Sequence, residues 1–155
     1  ITLSQKRVLL LGAGGAAKGV IPSLLQGSIE SLTVANRTYR KLNQLKSDFQ
    51  EIKISDFNAL KNDYDILINA TTSSLNNSLP NIPTEIIKES VCLDMFYDLK
   101  KETAFVEWTK KEGAFKSVDG LEMLVGQAEK SFERWHDKKI DALKTVNYLH
   151  SYRRA

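Results

Sequence analysis

The stretch RVLLLGAGGAAKGV, residues 7–20, joins a run of branched apolar residues to a cluster of glycines and then to helix-forming residues. Val8–Leu11 predicts a short buried strand, and residues 15–26 predict a helix. Between them, residues 12–17 (GAGGAA) fit the pattern G-x-G-x-x-G/A in the strand–turn–helix context that the pattern requires. The stretch predicts a βα unit that binds a dinucleotide; the competing interpretation is a glycine-rich turn that binds nothing.

Each small residue in this turn has a separate predicted task. Gly12 permits the tight turn, Gly14 lets the backbone approach a pyrophosphate, and Ala17 lets the helix pack closely on the strand. The start of the helix then presents unpaired N–H groups and the positive end of its dipole to the phosphates.

Apolar runs alternate with helical patterns along the rest of the chain. Further strands are predicted at 32–35, 51–54, 66–69, 91–94 and 115–118, and helices near 15–26, 38–49, 83–88 and 102–112, with two more after residue 118. Repeated βα units predict an α/β fold, a Rossmann-like doubly wound sheet of about six mostly parallel strands with helices on both faces. The expected organisation is a single domain over residues 1–155.

Composition narrows the class of protein. The net charge of +3, from 22 Lys and Arg against 19 Asp and Glu, is too small and too dispersed for a nucleic-acid surface. The single Cys92 predicts a buried thiol in a reducing compartment, which favours the cytoplasm, and no apolar run approaches the roughly 20 residues of a membrane-spanning helix. Because the chain opens at Ile1 and not at a methionine, we expect a piece of a longer protein.

The end of the second predicted strand, VANRTYRK at residues 34–41, discriminates between cofactors. An NAD site usually has an acidic residue there, whereas an NADP site uses arginine. Here Asn36 replaces the acid, Arg37 follows it, and Arg40 and Lys41 come one helical turn later, which predicts NADP(H). The competing interpretation is that Thr38 caps the next helix and the basic residues form its solvated face.

Five motifs together resemble a known family. GAGGAAKGV, ANRT, INATTSS, DMFYDLKKET and DGLEMLVGQAEKSFERW occur in the order and spacing seen in shikimate dehydrogenases, and the chain resembles their C-terminal NADP-binding domain over essentially its whole length. The resemblance implies an oxidoreductase that reduces 3-dehydroshikimate to shikimate with NADPH, in aromatic amino-acid biosynthesis. It also implies that the catalytic Lys and Asp lie in a preceding domain, so we expect no catalytic residue here and no activity from this chain alone.

The stretch from Asp119 onward predicts a helix whose start is capped by Asp119 together with Glu122. One face carries apolar residues at helical spacing and is expected to pack in the core: Leu121, Leu124, Val125, Ala128, Phe132 and Trp135. Met123 and Gln127 lie on another face, which by pattern alone indicates a surface pair.

The resemblance assigns further roles. It implies that Gln127 hydrogen-bonds substrate, that Tyr97 lines the substrate pocket, and that Met95, Gly120 and Met123 lie beside the nicotinamide. The full predicted cofactor-binding set is Gly12, Ala13, Gly14, Gly15, Ala16, Asn36, Arg37, Thr38, Lys41, Asn69, Ala70, Thr71, Met95, Gly120 and Met123. No metal is expected, because His136 and His150 lack ligand partners at metal spacing.

The final helix, predicted over residues 137–150, has an apolar stripe of Ile140, Leu143, Val146 and Leu149. The resemblance implies that the helices from 119 to 150 pack toward the absent substrate domain; without that domain, self-association into a homodimer is the hypothesis. Two alternatives stay open for function: a relative that acts on quinate, and a non-catalytic nucleotide-binding module.

Overall fold

The computed structural model describes residues 2–61, 64–73 and 78–154. The elements in chain order are β1 (Arg7–Leu11), α1 (Gly15–Gln26), β2 (Ser31–Ala35), α2 (Tyr39–Asp48), β3 (Lys53–Ser55), β4 (Ile66–Asn69), β5 (Val91–Asp94), α3 (Ala104–Lys111), β6 (Lys116–Val118), α4 (Leu121–His136) and α5 (Ala142–Arg154), with short 3₁₀ turns at Phe57–Ala59 and Thr84–Ile86.

The strands form one six-stranded sheet in the order β3-β2-β1-β4-β5-β6, and every neighbouring pair is parallel. Val8 of β1 pairs with Leu32 on one side and with Ile66 on the other, so the strand order reverses beside β1. The predicted doubly wound α/β fold is therefore confirmed. Ligands of such sheets bind outside the carboxyl ends of the strands at this reversal point.

Helices cover both faces because β1 is apolar on both. Leu10 lies in a cluster with Ile21 of α1 and Leu42 of α2, while Leu9 lies in the opposite cluster with Phe105 of α3. All five side chains are fully removed from solvent. Burial of each contributes about 1.5–3 kcal/mol relative to exposure, so the two clusters hold the strand ends, and hence the binding crevice, in a fixed arrangement.

Several predicted element boundaries are wrong, among them the strand at 115–118, which begins at Lys116. The third strand is Lys53–Ser55, not 51–54, because Ile52 fills the core from the turn that precedes the strand. The helix predicted at 83–88 is only a 3₁₀ turn, Thr84–Ile86, and Glu89 just beyond it has a left-handed φ of 62°. The last helix begins at Ala142 and not at residue 137, because Asp137 ends α4 in a left-handed conformation.

The capping arrangement predicted for α4 does not form. Gly120 is the N-cap residue and Asp119 precedes it, accepting a hydrogen bond from the backbone N–H of Leu121 at 3.1 Å. Glu122 lies instead 3.3 Å from Nε2 of His150 on α5. The two acidic residues at the start of α4 therefore connect it to α5 and do not cap it reciprocally.

The predicted core face of α4 is buried only near its start. Leu121 and Val125 are buried, but Ala128 is exposed, and Leu124 and Trp135 are 38% and 77% exposed. The reason is that α4 packs chiefly against α5, whose own Leu143 is 67% exposed, and not against the sheet. Within the described ranges, no helix combines the length and apolar character needed to cross a membrane.

Candidate nucleotide-binding site

A groove of about 420 Å³ lies at the carboxyl ends of β1, β2 and β4. Many of the predicted cofactor residues line it: Gly12, Ala13, Gly14, Asn36, Arg37, Thr38, Lys41, Ala70 and Thr71. The structure thus brings together three segments that are far apart in sequence, the glycine turn, the end of β2 and the end of β4. This is the crevice that the reversal of strand order creates.

Gly12 allows the glycine turn to touch the end of β4. Its φ is 109°, and a Cβ atom there would lie 2.8 Å from the carbonyl oxygen of Ala70. Hydrogen bonds fix the backbone of this turn to both neighbouring strands. Gly12 N–H donates to the Ala35 carbonyl at the end of β2 at 2.7 Å, and Ala70 N–H, just after β4, donates to the Leu11 carbonyl at 2.8 Å. A side chain at Gly12 would therefore have to displace backbone.

The start of α1 is open toward the groove. Gly14 is its N-cap residue and no side chain caps it. A Cβ atom on Gly14 or Gly15 would meet nothing within 4 Å, and the first turn has no acidic residue. Gly15 and Ala16 form that first turn and do not line the groove. Uncapped N–H groups at a helix start suit an anion such as a pyrophosphate.

The other side of the groove is basic. Asn36 fixes the turn after β2 by donating from Nδ2 to the Thr38 carbonyl at 3.1 Å, and Arg37 and Lys41 extend exposed side chains beyond it. Thr38 occupies the N-cap position of α2, as the competing interpretation required, but its hydroxyl does not cap the helix. None of the described groove residues carries a carboxylate. The site thus offers two cations and a hydroxyl to an anionic group.

Sequence reasoning missed other described residues of the groove: Phe57, Thr72, Ser73, Ser78, Leu79 and Asn81. Phe57 lies two residues beyond β3, so the rule that ligands bind at strand ends could have found it. Leu79 and Asn81 come from the long loop after β4, which had no sequence signal of its own. Residues 74–77 of that loop lie outside the described residues.

Asn69 lies behind the groove wall and is completely buried. Its Oδ1 accepts hydrogen bonds from the backbone N–H of Thr71 at 3.1 Å and from the Thr71 hydroxyl at 2.7 Å. Its Nδ2 donates to Asp94 at 3.1 Å. The structure therefore uses the Asn69 side chain to hold Thr71, which does line the groove.

The remaining predicted residues lie on the segment after β5 and on α4, outside the groove. Gly120 N–H donates to the Phe96 carbonyl at 3.0 Å, and a Cβ atom on Gly120 would overlap the Met95 carbonyl oxygen. Met123 is half-buried and Gln127, one turn further along α4, is exposed. The structure thus joins the Met95 segment directly to the start of the helix that carries the predicted substrate contact.

Tyr97 is half-buried and its ring stacks on that of Phe96, with centroids 6.3 Å apart. Asp98, the next residue, accepts a hydrogen bond from the Lys100 backbone N–H at 2.7 Å, which lowers the pKa of the Asp98 carboxyl. Arg153 of α5 also donates to the Asp98 carbonyl and pairs with Asp119 at 2.9 Å. The segment that carries Tyr97 is therefore tied to both terminal helices.

Other reactive groups are structural. Cys92 is buried, as expected, and this burial raises the pKa of its thiol, which keeps it protonated and inert. Among the described residues, no group of His, Cys, Asp or Glu could hold a metal ion. A second cavity of about 390 Å³, between α3, β6, α4 and α5, is lined by charges of both signs, including the Arg153–Asp119 pair.

The parallel sheet in this order, with a glycine turn opening α1 beside the strand reversal, defines the Rossmann class of α/β domains, whose members bind dinucleotides at this crevice. Residues 1–97 match the family model described as shikimate / quinate 5-dehydrogenase, and residues 120–144 match that of the shikimate 5'-dehydrogenase C-terminal domain. The chain belongs to the shikimate/quinate 5-dehydrogenase family.

Similar sequences agree on the family. A shikimate dehydrogenase (NADP(+)) of Colwellia psychrerythraea is 48% identical over 139 residues, which are 87% of this chain and 50% of the relative. The corresponding Vibrio cholerae protein is 44% identical with the same coverage. The chain therefore spans about half the length of the curated relatives it matches.

The solved structures also match this chain over slightly more than half of their own length. An Ael1 enzyme from Pseudomonas putida superposes with a TM-score of 0.86 at 35% identity, covering 96% of this chain and 56% of that one. A shikimate 5-dehydrogenase from Thermus thermophilus, in complex with NADP(H) and shikimate, gives a TM-score of 0.78 at 26% identity, covering 94% and 54%.

Proposed function

We propose that this chain is the NADP(H)-binding domain of a shikimate dehydrogenase, which reduces 3-dehydroshikimate to shikimate in aromatic amino-acid biosynthesis. The observation that carries the proposal is the groove that combines an uncapped helix start with Arg37 and Lys41 and has no carboxylate among its described residues. The NADP(+) in the names of the relatives, and the NADP(H) bound by the Thermus thermophilus structure, support the same cofactor.

Each part of the groove has a partner on the cofactor. The pyrophosphate binds over Gly14 at the start of α1, where N–H groups and the helix dipole favour negative charge. The 2′-phosphate binds between Arg37, Thr38 and Lys41, because charge-assisted hydrogen bonds to a phosphate are stronger than neutral ones. An NAD site would instead need an acidic residue for the ribose hydroxyl, and Asn36 stands there.

The nicotinamide end of the cofactor extends toward Met95, Gly120 and Met123, and Tyr97 and Gln127 form one wall of the substrate cleft. When bound, NADPH supplies the hydride. This chain holds the cofactor and orients the substrate, and the rest of the protein contributes the groups that manage the proton. We therefore expect the 155-residue chain to bind NADP(H) and to turn over no shikimate by itself; measurable turnover would contradict this assignment.

The exposed apolar side chains of α4 and α5 support a docking role for these helices. Trp135, Leu143, Tyr148 and Tyr152 are each more than 60% exposed. The two helices, within one domain spanning residues 1–155, pack against the substrate-binding half of the protein. In the isolated chain the same face drives self-association, which light scattering would detect as a dimer. The lone buried thiol of Cys92 supports a reducing, cytoplasmic location.

Calorimetric titration tests the cofactor assignment. Wild-type chain should bind NADP⁺ at least tenfold more tightly than NAD⁺, and Arg37→Ala should reduce NADP⁺ affinity about 10–100-fold, because a hydrogen-bonded charge contributes roughly 1.5–3 kcal/mol. NAD⁺ affinity should stay unchanged. Arg40→Ala is the matched control, since Arg40 is also an exposed arginine, lies three residues further along on α2, and does not line the groove. Equal losses for both cofactors, or for both variants, would contradict a 2′-phosphate site at Arg37.

The family model also names quinate, which makes a quinate dehydrogenase the second candidate. The chain contributes only Tyr97 and Gln127 to the proposed substrate wall, so the choice depends mainly on the other half of the protein. Steady-state rates of the whole protein with shikimate and with quinate distinguish the two. A kcat/KM for quinate that equals or exceeds that for shikimate would favour the second candidate.

A further inference from the structure

A fully buried carboxylate joins the two halves of the proposed site. Asp94, the last residue of β5, is completely removed from solvent. Its Oδ1 accepts hydrogen bonds from Asn69 Nδ2 at 3.1 Å and from the backbone N–H of Phe96 at 3.2 Å. Its Oδ2 accepts from the Thr103 hydroxyl at 2.7 Å. One side chain thus connects the end of β4, the segment after β5 and the N-cap of α3.

Asn69 extends this connection to the nucleotide groove. It donates to Asp94 and accepts from the backbone and the hydroxyl of Thr71, a groove residue. The backbone repeats the link, since Met95 N–H donates to the Asn69 carbonyl at 2.9 Å. Only one amide side chain therefore separates Asp94 from the groove wall.

On its other side the same segment is held against α4. Gly120 N–H donates to the Phe96 carbonyl at 3.0 Å, and the Met95 carbonyl leaves no room for a Cβ on Gly120. A shift of Phe96 therefore moves the start of α4 as well. The hydrogen bonds of Asp94 thus determine the position of two chain segments, each of which carries residues of the proposed site.

The chemistry of Asp94 is unusual for its position. A carboxylate in a dry interior is unfavourable unless hydrogen bonds satisfy it, and apart from its register partner Asn69 the rest of β4 and β5 is apolar, as in most parallel strands. A fully hydrogen-bonded buried network fixes a unique geometry, whereas apolar packing tolerates small shifts. A buried carboxylate whose oxygens are held by hydrogen bonds is therefore suited to fixing the positions of the segments that donate to it.

We propose that Asp94 is a positioning residue that sets the spacing between the Thr71 wall of the nucleotide groove and the Met95–Tyr97 segment. It thereby aligns the nicotinamide end of the cofactor with the substrate side of the cleft, without touching either ligand. The proposal rests on the NADP(H) site proposed above. It separates two functions of the crevice: the glycine turn and the basic residues hold the adenosine phosphates, and Asp94 places the reacting end.

Two ligands distinguish positioning from a general structural role. NADP⁺ reaches both halves of the site, whereas adenosine 2′,5′-bisphosphate carries the adenosine phosphates without the nicotinamide and reaches only the glycine turn and the basic residues. Asp94→Ala, which removes the acceptor of the Asn69, Phe96 and Thr103 donors, should weaken NADP⁺ binding by the 155-residue chain more than tenfold and change bisphosphate binding less than twofold. Asp94→Asn should stay within about threefold of wild type for both ligands, because its Oδ1 can keep two donors and its Nδ2 can donate to Thr103.

Thr103→Val keeps the test decisive if Asp94→Ala fails to fold. It removes one donor to Asp94 and the hydroxyl that caps α3 at Val106, and it should weaken NADP⁺ binding about three- to fivefold with no loss for the bisphosphate. Thr109→Val is the matched control, since Thr109 is a buried threonine within α3 whose hydroxyl donates toward the Phe105 and Val106 carbonyls and the Ser117 hydroxyl instead. It should change neither affinity.

The inference is overturned if Thr103→Val weakens the binding of NADP⁺ and of the bisphosphate by the same factor. It is also overturned if Thr103→Val and Thr109→Val change the NADP⁺ affinity equally. Either result would mean that Asp94 only stabilises the fold. If wild-type chain binds neither ligand, the proposed function fails first. A wild-type chain that binds both ligands, with variants that affect only NADP⁺, supports both proposals.

Discussion

Gly12→Ala should destabilise the fold strongly, because the turn at Gly12 leaves no freedom for a side chain. A left-handed φ disfavours an L-residue by about 1–2 kcal/mol, and Gly12 has a φ of 109°. The new Cβ would also lie 2.8 Å from the Ala70 carbonyl oxygen, and relief of such an overlap costs about 1–2 kcal/mol more. The expected loss is therefore roughly 2–4 kcal/mol.

Thermal unfolding followed by circular dichroism measures this loss. A domain of this size shifts its melting temperature by about 2–4 °C per kcal/mol, so Gly12→Ala should melt about 4–16 °C below wild type. Gly19→Ala is the control: it lies inside α1 with nothing within 4 Å of the added Cβ, and should gain about 0.5–1 kcal/mol from helix propensity. A Gly12→Ala variant that melts within 1 °C of wild type would refute the close approach of the turn to β4.

Three further outcomes are expected. Gly120→Ala, whose Cβ would overlap the Met95 carbonyl, should lower the free energy of unfolding by about 1–3 kcal/mol in urea titrations, whereas Gly126→Ala, with open space around it, should raise it by about 0.5–1 kcal/mol. The hydrogen bond from Arg7 lowers the pKa of Asp65, so the pair stabilises the fold above about pH 4 and this contribution disappears as pH falls through the folded pKa. Asp65→Asn should therefore unfold more easily at pH 7 and converge with wild type as pH falls through the folded pKa of Asp65; a gap independent of pH would contradict this. Trp135→Ala should change the free energy of unfolding by less than about 0.5 kcal/mol but reduce self-association in light scattering; unchanged association would exclude this face as the contact.

Much of the sheet could be predicted because buried parallel strands appear as continuous apolar runs. Val91–Asp94 and Ile66–Asn69 were predicted with their observed bounds for this reason. Ile52 shows the limit of the method, since an apolar residue in a turn can fill the core as well as one in a strand. An amphipathic helix such as α4 has the same ambiguity, because its pattern does not say whether the sheet or another part of the protein covers it.

Site residues could be predicted where their signal lies in a short stretch of sequence, and could not be predicted where distant segments bring them together. The glycine turn and the residues after β2 carry their signals in short stretches, and the structure brings them into one groove. Phe57 and Leu79 enter that groove only because β3 and the loop after β4 fold beside it. The hydrogen bond that Asn69 donates to Asp94 joins residues 25 positions apart, and no local pattern in the sequence indicates it.

The central position of β1 also has a kinetic consequence. It is the first of the six strands in chain order but needs a neighbour on each side, and the contact of Arg7 with Asp65 spans 58 residues. Pairings this distant in sequence slow folding, because the loop must close before the contacts form. We expect β1 to pair first with β2 and to wait for β4, so the β1–β4 junction closes last in refolding. That junction is also the floor of the nucleotide crevice, and a cofactor bound across it should slow unfolding while leaving the refolding rate unchanged.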